Sequence, residues 1–319
     1  MAFTLEIKSK GLFGRVRELN LEELYQNCGL QGGTVNEFYI LEPDRVDPNY
    51  VMIYNPKRFG RGIALDMKQI RSGIVRLTYN IPTTRTEIAD YINVVKEIVR
   101  QFKKASMYSI NDEAEYSLDL LEEVRNEMTA FSLKTLNELC SNQDPDRSPC
   151  IRLALFPWYI PKEKLELYRD CQTLYDFERT MHELQDRPVY YARPFFFKEG
   201  DKLLARYAYP DRCECIFPID PKKAVNAMKA VPDVTWINFY LSDEKKTLGG
   251  DYPYERFIAY MMEHGAVRND AETVILPSIP KEEFEAIVAY LNAESEPPKE
   301  VSAIGPNGKK VTDTADENE

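Results

Sequence analysis

The chain opens with alternating apolar and polar residues, the pattern of a strand with one buried face. Phe3, Leu5 and Ile7 would lie on that face. Four further short apolar runs bounded by turn residues also predict strands; they span residues 38–41, 51–54, 63–65 and 74–79. Asn20, a residue type that caps helices, precedes a predicted helix over 21–27. The first 80 residues are therefore expected to be mostly sheet.

Two longer amphipathic segments predict helices over 86–105 and 118–141. Thr84 and Glu87 fit a capping box, in which a hydroxyl and a carboxylate each satisfy a backbone amide of the first turn. The segment 144–149 holds two prolines and two aspartates, which end the second helix. This segment is the predicted domain boundary.

An apolar strand, a proline and an amphipathic helix recur beyond that boundary, at 151–166 and 274–285, and more loosely at 216–224. Ile81-Pro82 before the helix at 86 is similar. Proline suits the first turn of a helix, so the recurrence is explained by helix-start chemistry alone. An ancient duplication of a strand–helix unit is the alternative, and a single sequence leaves both open.

Strands rich in aromatic residues are predicted at 189–192, 195–197, 203–209 and 235–241. Residues 294–319 contain no large aromatic residue and end in acidic residues, which predicts a disordered acidic tail. We predict an α+β fold in two similar-sized halves, with mixed or antiparallel sheets and helices packed on one face. The expected domains are an N-terminal α+β domain (1–110), a helical connection (111–148) and a C-terminal α+β domain (149–293).

Composition and charge limit the classes of partner. Hydrophobic residues make up 44% of the 319 residues, enough for a buried core, and the formal net charge is −11. Such a charge disfavours nucleic acids and anionic membranes. No signal peptide or spanning apolar run is visible, and the six cysteines are scattered. We expect a cytoplasmic protein with reduced thiols.

The sequence contains few residues and motifs that are typical of enzyme active sites. Only two histidines occur, His182 and His264, and phosphate-loop, dinucleotide, metalloprotease and nucleophile-elbow motifs are absent from the sequence. Cys213 and Cys215 would face the same side of a strand without a second pair, which favours buried inert thiols over a zinc or redox role. The expectation is no cofactor, no metal and no assignable catalytic residue, and a binding protein is favoured over an enzyme.

Two groups of residues are candidates for binding. Lys57, Arg58 and Arg61 bring three cations and two glycines into one turn, which could bind an anion; the alternative is a solvated hairpin. Tyr190, Tyr191 and Trp236 could anchor a partner protein, although aromatics at strand spacing are more often core residues.

Several short motifs resemble those of a bacterial family catalogued as domain of unknown function 4299. They are the opening 5–10, Tyr54-Asn55-Pro56 with 61–65, and the run 77–84 leading into the long helix. The resemblance covers about the first 110 residues, with the whole chain as the wider alternative, and implies a bacterial cytoplasmic origin. It carries over no catalytic residue.

The sequence favours a non-enzymatic cytoplasmic protein that binds another protein or a small anionic ligand. The alternative is an enzyme or sensor for an anionic metabolite, which would be bound by the basic loop 57–61. The specific partner and the oligomeric state do not follow from the sequence.

Overall fold

The computed structural model describes residues 1–10, 19–45, 47–142 and 148–293. The chain forms two compact units, Met1–Arg187 and Pro188–Glu319, and the fold is α+β as predicted. The units are unequal in length, and they divide later in the chain than the expected boundary at 144–149. Most of that segment, and the expected disordered tail 294–319, lie outside the described residues.

An antiparallel sheet of eight strands forms the centre of the first unit, in the order β3-β2-β4-β5-β6-β1-β7-β8. The strands are β1 (Ala2–Ser9), β2 (Gln31–Val35), β3 (Leu41–Glu42), β4 (Tyr50–Tyr54), β5 (Ile63–Asp66), β6 (Ile74–Asn80), β7 (Ala105–Ser109) and β8 (Ala114–Tyr116). The predicted alternation in β1 is confirmed, because Phe3, Leu5 and Ile7 are buried.

Six α-helices and a two-stranded ribbon complete the described part of this unit. They are α1 (Leu21–Cys28), α2 (Arg85–Phe102), α3 (Leu118–Glu123), α4 (Arg125–Ser141), α5 (Lys162–Arg169) and α6 (Tyr175–Gln185), with the ribbon of β9 (Cys150–Arg152) and β10 (Pro157–Tyr159). The apolar stripe of α2, including Ile88, Tyr91 and Ile92, joins the apolar face of the sheet in one core. The expected helix 118–141 is two helices that meet at Val124.

The expected strand at 38–41 is wrong. The Asn36 side chain accepts the backbone amides of Phe38 and Ile40, at 2.9 and 3.1 Å, and Tyr39 has a positive φ of 60°. These contacts hold a turn, and Leu41 alone of the four residues enters a strand.

Two four-stranded mixed sheets form the second unit, in the orders β12-β13-β15-β16 and β11-β14-β18-β17. The strands are β11 (Tyr190–Tyr191), β12 (Phe195–Glu199), β13 (Lys202–Pro210), β14 (Cys215–Pro218), β15 (Val234–Leu241), β16 (Lys246–Pro253), β17 (Val267–Arg268) and β18 (Thr273–Leu276). The helices α7 (Tyr254–Glu263) and α8 (Lys281–Asn292) share one core with both sheets. Tyr209 lies in this core, with ring centroids of Phe257 and Phe284 at 5.9 and 5.0 Å.

Over the described residues, every helix is too short or too polar to cross a membrane.

Candidate functional site

The basic loop 55–62 connects β4 to β5 and is organised by an asparagine. The Asn55 side chain accepts the backbone amides of Lys57 and Arg58 at 3.0 and 3.2 Å. Such a turn fixes the backbone through a side chain of its own. The side chains of Lys57 and Arg58 are exposed.

Arg61 of this loop is engaged with backbone carbonyls. Its Nε donates to the carbonyl of Arg152 at 3.0 Å and its Nη1 to that of Pro82 at 2.9 Å. Burial lowers the pKa of Arg61 to about 10, opposed by the Glu87 carboxylate, so the guanidinium stays charged at neutral pH. Arg61 therefore joins the loop to β9 and to the turn before α2.

The three cations of the loop have different surroundings. Arg58 lies 3.9 Å from Glu178, a carboxylate that also accepts the hydroxyl of Thr86, while Lys57 extends into solvent. Binding of an anion by all three stays a prediction, but the position of Arg61 does not favour it. An enzyme or sensor built on this loop loses support for the same reason.

A buried glutamate of α2 anchors the same loop. Glu87 accepts the backbone amide of Gly62 and the hydroxyl of Thr83, and burial raises its pKa against these bonds. A Cβ at Gly60 would lie 2.6 Å from Glu87 Oε1, so a larger residue there would have to displace the Glu87 carboxylate. One half of the predicted capping box is confirmed, because Thr84 Oγ1 accepts the Glu87 amide at 2.9 Å; the Glu87 carboxylate binds the loop instead.

Further contacts fasten the loop to α2 and α6. Asn55 donates to Asp90 at 2.9 Å, and burial raises the pKa of that carboxyl. The ring of Phe59 stacks on Tyr54 and on His182, with centroids 5.8 and 6.0 Å apart. The Phe59 amide donates to Nδ1 of His182 at 3.4 Å. Together, these hydrogen bonds and ring contacts fix the position of the loop against α2 and α6.

His264 and Cys215, two further residues with reactive side chains, are held by contacts within the fold. His264 stacks on Tyr260 at 3.9 Å, and burial raises the pKa of the Cys215 thiol. In the part of the chain that the structure describes, three metal-ligating side chains do not come together anywhere.

The second candidate surface lies on the sheet β12-β13-β15-β16. Its inner face carries Tyr209, Ile237 and Phe239 into the core with α7 and α8. Side chains alternate along a strand, so Trp236 lies on the opposite face, which we call the outer face. The structure thus places Trp236 outside the core, half-buried.

The strand register builds one row across the outer face. Phe195, Arg206, Trp236 and Pro253 are direct partners on β12, β13, β15 and β16. Phe195 is 51% exposed, and Arg206 stands between Phe195 and Trp236 in the row. Arg206 also lies over the ring of Phe197, with Cζ 4.7 Å from the centroid.

An ion pair lies in the middle of the outer face. Arg206 pairs with Asp251, and their side chains are 25% and 19% exposed. Burial raises the pKa of Asp251, although Arg206 and a hydrogen bond from Asn238 oppose the shift. No local sequence pattern predicts this cluster, because its members come from three different strands.

The other two aromatic candidates lie elsewhere. Tyr190 and Tyr191 form β11 and pair with Cys215 and Ile216 in the other sheet. Tyr190 is 37% exposed, and Tyr191 is half-buried. The structure therefore does not bring these tyrosines into the sheet that carries Trp236.

The two units define an α+β protein. A model of the family described as domain of unknown function (DUF4299) matches residues 2–287 of the chain, and the protein belongs to that family. No curated protein and no solved structure matches the chain significantly.

Proposed function

We propose that this chain is a non-enzymatic cytoplasmic protein of bacteria that binds another protein through the outer face of the sheet β12-β13-β15-β16. The row of Phe195, Arg206 and Trp236 carries the proposal. Tryptophan, tyrosine and arginine are enriched among the few residues that contribute most of the binding energy in protein interfaces. Here an arginine and a tryptophan lie side by side, with a half-exposed phenylalanine at the edge.

The rigidity of the row supports binding. Arg206 is held by Asp251 and lies over Phe197, so its side chain loses little freedom when a partner covers it. Pre-organised side chains lower the entropy cost of association. Trp236 stands on a strand with hydrogen-bonded neighbours on both sides.

A cytoplasmic location agrees with the state of the cysteines. Burial raises the pKa of Cys140 to about 12 and that of Cys28 to about 11, so these thiols stay protonated and unreactive at neutral pH. All six cysteines are free thiols, whereas proteins of oxidising compartments commonly pair theirs in disulfides. The bacterial assignment rests on the resemblance of the sequence motifs alone.

Site-specific photocrosslinking in the producing cell tests the surface. A photoreactive phenylalanine analogue replaces Phe195 in one variant and Tyr290 in another; Tyr290 is similarly exposed, at 46%, but lies on α8. We expect one defined crosslinked protein from position 195 and none of it from position 290.

The crosslinked protein is then purified and its affinity for the chain is measured by calorimetry. Trp236→Ala should weaken binding by about 2 kcal/mol or more, the size of an interface hot spot. Tyr290→Ala should leave it unchanged. Equal crosslinking from both positions, or full affinity of a folded Trp236→Ala variant, would overturn the proposal.

A further inference from the structure

Two polar atoms on the outer face lack a hydrogen-bond partner. Nε of Arg206 and Oδ1 of Asn238 are buried, and neither forms a hydrogen bond with a described residue. Buried polar groups in native proteins are nearly always paired, so each unpaired one calls for an explanation. Here the two atoms come from neighbouring strands.

The two residues lie one row apart on the same face. Arg206 is in register with Trp236, and Asn238 is in register with Ala208. Both are fixed through Asp251, which pairs with Arg206 and accepts a hydrogen bond from Asn238. The unpaired donor and the unpaired acceptor therefore have set positions.

We propose that the outer face binds a carboxamide side chain, glutamine or asparagine, of the partner protein. Its oxygen accepts from Nε of Arg206, and its NH2 group donates to Oδ1 of Asn238. The inference rests on the proposed function, because it names the chemistry that the same surface recognises.

Charged ligand groups satisfy at most one of the two atoms. A carboxylate or phosphate would accept from Arg206, but it offers no donor to Asn238 and would lie beside the carboxylate of Asp251. An ammonium group would donate to Asn238 and oppose Arg206. A carboxamide carries one acceptor and one donor group on a planar unit.

The residues around Arg206 can pack against the aliphatic part of the partner's glutamine or asparagine side chain. Phe195, Phe197 and Trp236 border Arg206, two by register and one by contact. Both atoms are buried, so binding requires a side chain to move, and the proposal assigns this movement to the half-exposed Phe195. Changes of side-chain rotamer at interfaces are common on binding.

Three short peptides test the amide directly. Acetyl-Leu-Gln-Leu-amide is compared with peptides in which glutamate or methionine replaces the glutamine, so backbone and flanking residues are identical. Binding is followed by ligand-observed NMR and by the fluorescence of Trp236 in a Trp158→Phe background, because Trp158 is buried at 1% exposure. The glutamine peptide should bind about tenfold tighter than either control.

Variants of the chain assign the effect to the two atoms. Arg206→Lys keeps a cation for Asp251 but has no Nε–H, and Asn238→Leu removes the acceptor. Each should abolish the preference for glutamine, whereas Tyr240→Phe, on the same face of β15, should retain it. Melting temperatures confirm that the variants are folded.

The outcomes separate this inference from the proposed function. Equal affinity for the three peptides would mean that the surface recognises apolar contacts only. That result overturns the amide proposal but does not contradict the proposed binding of a protein. A crystal structure with a water bridging Arg206 and Asn238, together with no preference among the peptides, would overturn it as well. Failure of the crosslinking experiment would instead remove the proposed function.

Discussion

The carboxylate of Glu87 accepts the backbone amide of Gly62, a residue 25 positions earlier in the chain. This bond ties the first turn of α2 to the loop before β5. Gly60 makes the close approach possible, because a Cβ there would lie 2.6 Å from Glu87 Oε1, and Gly62 has a φ of +79°, which favours glycine. The basic loop is thus built around a buried acid.

Neutralising Glu87 should change how stability depends on pH. Burial raises the pKa of Glu87 above its ordinary value of 4.5, so the folded state holds this proton more tightly than the unfolded state. The stabilisation that protonated Glu87 gives to the folded state is complete below pH 4.5, and it is lost as the pH rises through the folded pKa. Glutamine stays neutral throughout, so the stability of Glu87→Gln relative to the natural chain should rise between pH 4 and pH 8. A tenfold difference in proton affinity between the two states corresponds to about 1.4 kcal/mol.

Urea unfolding of Glu87→Gln and the natural chain between pH 4 and pH 8 measures this difference. Glu87→Ala is the control, since it leaves the Gly62 amide without its acceptor and should cost about 1–3 kcal/mol. A difference between Glu87→Gln and the natural chain that stays constant with pH would contradict the prediction.

Replacement of Arg61 by alanine should lower the free energy of unfolding much more than replacement of Lys57 by alanine. Arg61 donates to two backbone carbonyls, and hydrogen bonds from a charged group contribute about 1.5–3 kcal/mol each before solvent exposure is counted. Arg61→Ala should lose about 1–3 kcal/mol, whereas Lys57→Ala should stay within about 0.5 kcal/mol. Equal effects in thermal unfolding would show that Arg61 has no structural role.

Ser132 of α4 should be a stabilising residue despite its small size. Its hydroxyl accepts the Thr83 amide at 2.6 Å and donates to the Thr83 carbonyl at 2.7 Å, and both residues are fully buried. Ser132→Ala should cost about 1–3 kcal/mol in urea unfolding, because two backbone groups lose their partner. Thr135→Ala, whose hydroxyl bonds within its own helix, should cost far less.

Replacing both Arg206 and Asp251 by apolar residues should preserve the stability of the fold better than replacing either residue alone. Removing one partner leaves an uncompensated charge in a largely buried place, so Arg206→Met and Asp251→Leu should each lose about 1–3 kcal/mol, a range reduced for partial exposure. The double variant should recover most of that loss, because apolar residues of similar volume can replace a buried ion pair. Additive losses in a double-mutant cycle would refute the coupling.

Local patterns were sufficient for most of the fold. Alternation in β1 and the apolar stripe of α2 specify one buried face each, and both predictions are confirmed. The strand expected at 38–41 failed because the Asn36 side chain competes with the sheet for the backbone amides. Apolar composition alone does not reveal such a competition.

The surfaces were harder to predict than the elements. Trp236 could be named from the sequence, but its neighbours could not, because β13 and β15 pair in parallel across an intervening segment that belongs to the other sheet. Register between distant strands places Arg206 beside Trp236 and fixes Asn238 one row away. Likewise, the contact of Glu87 with Gly62 depends on the three-dimensional fold.

The path of the chain through the second unit has a consequence for its assembly. After β13 the chain supplies β14 to the other sheet and then returns for β15. Residues of both sheets share one core with α7 and α8, so we expect neither sheet to be stable without the other. The second unit should unfold in one cooperative step, and a proteolytic cut between residues 211 and 233 should undo both sheets together.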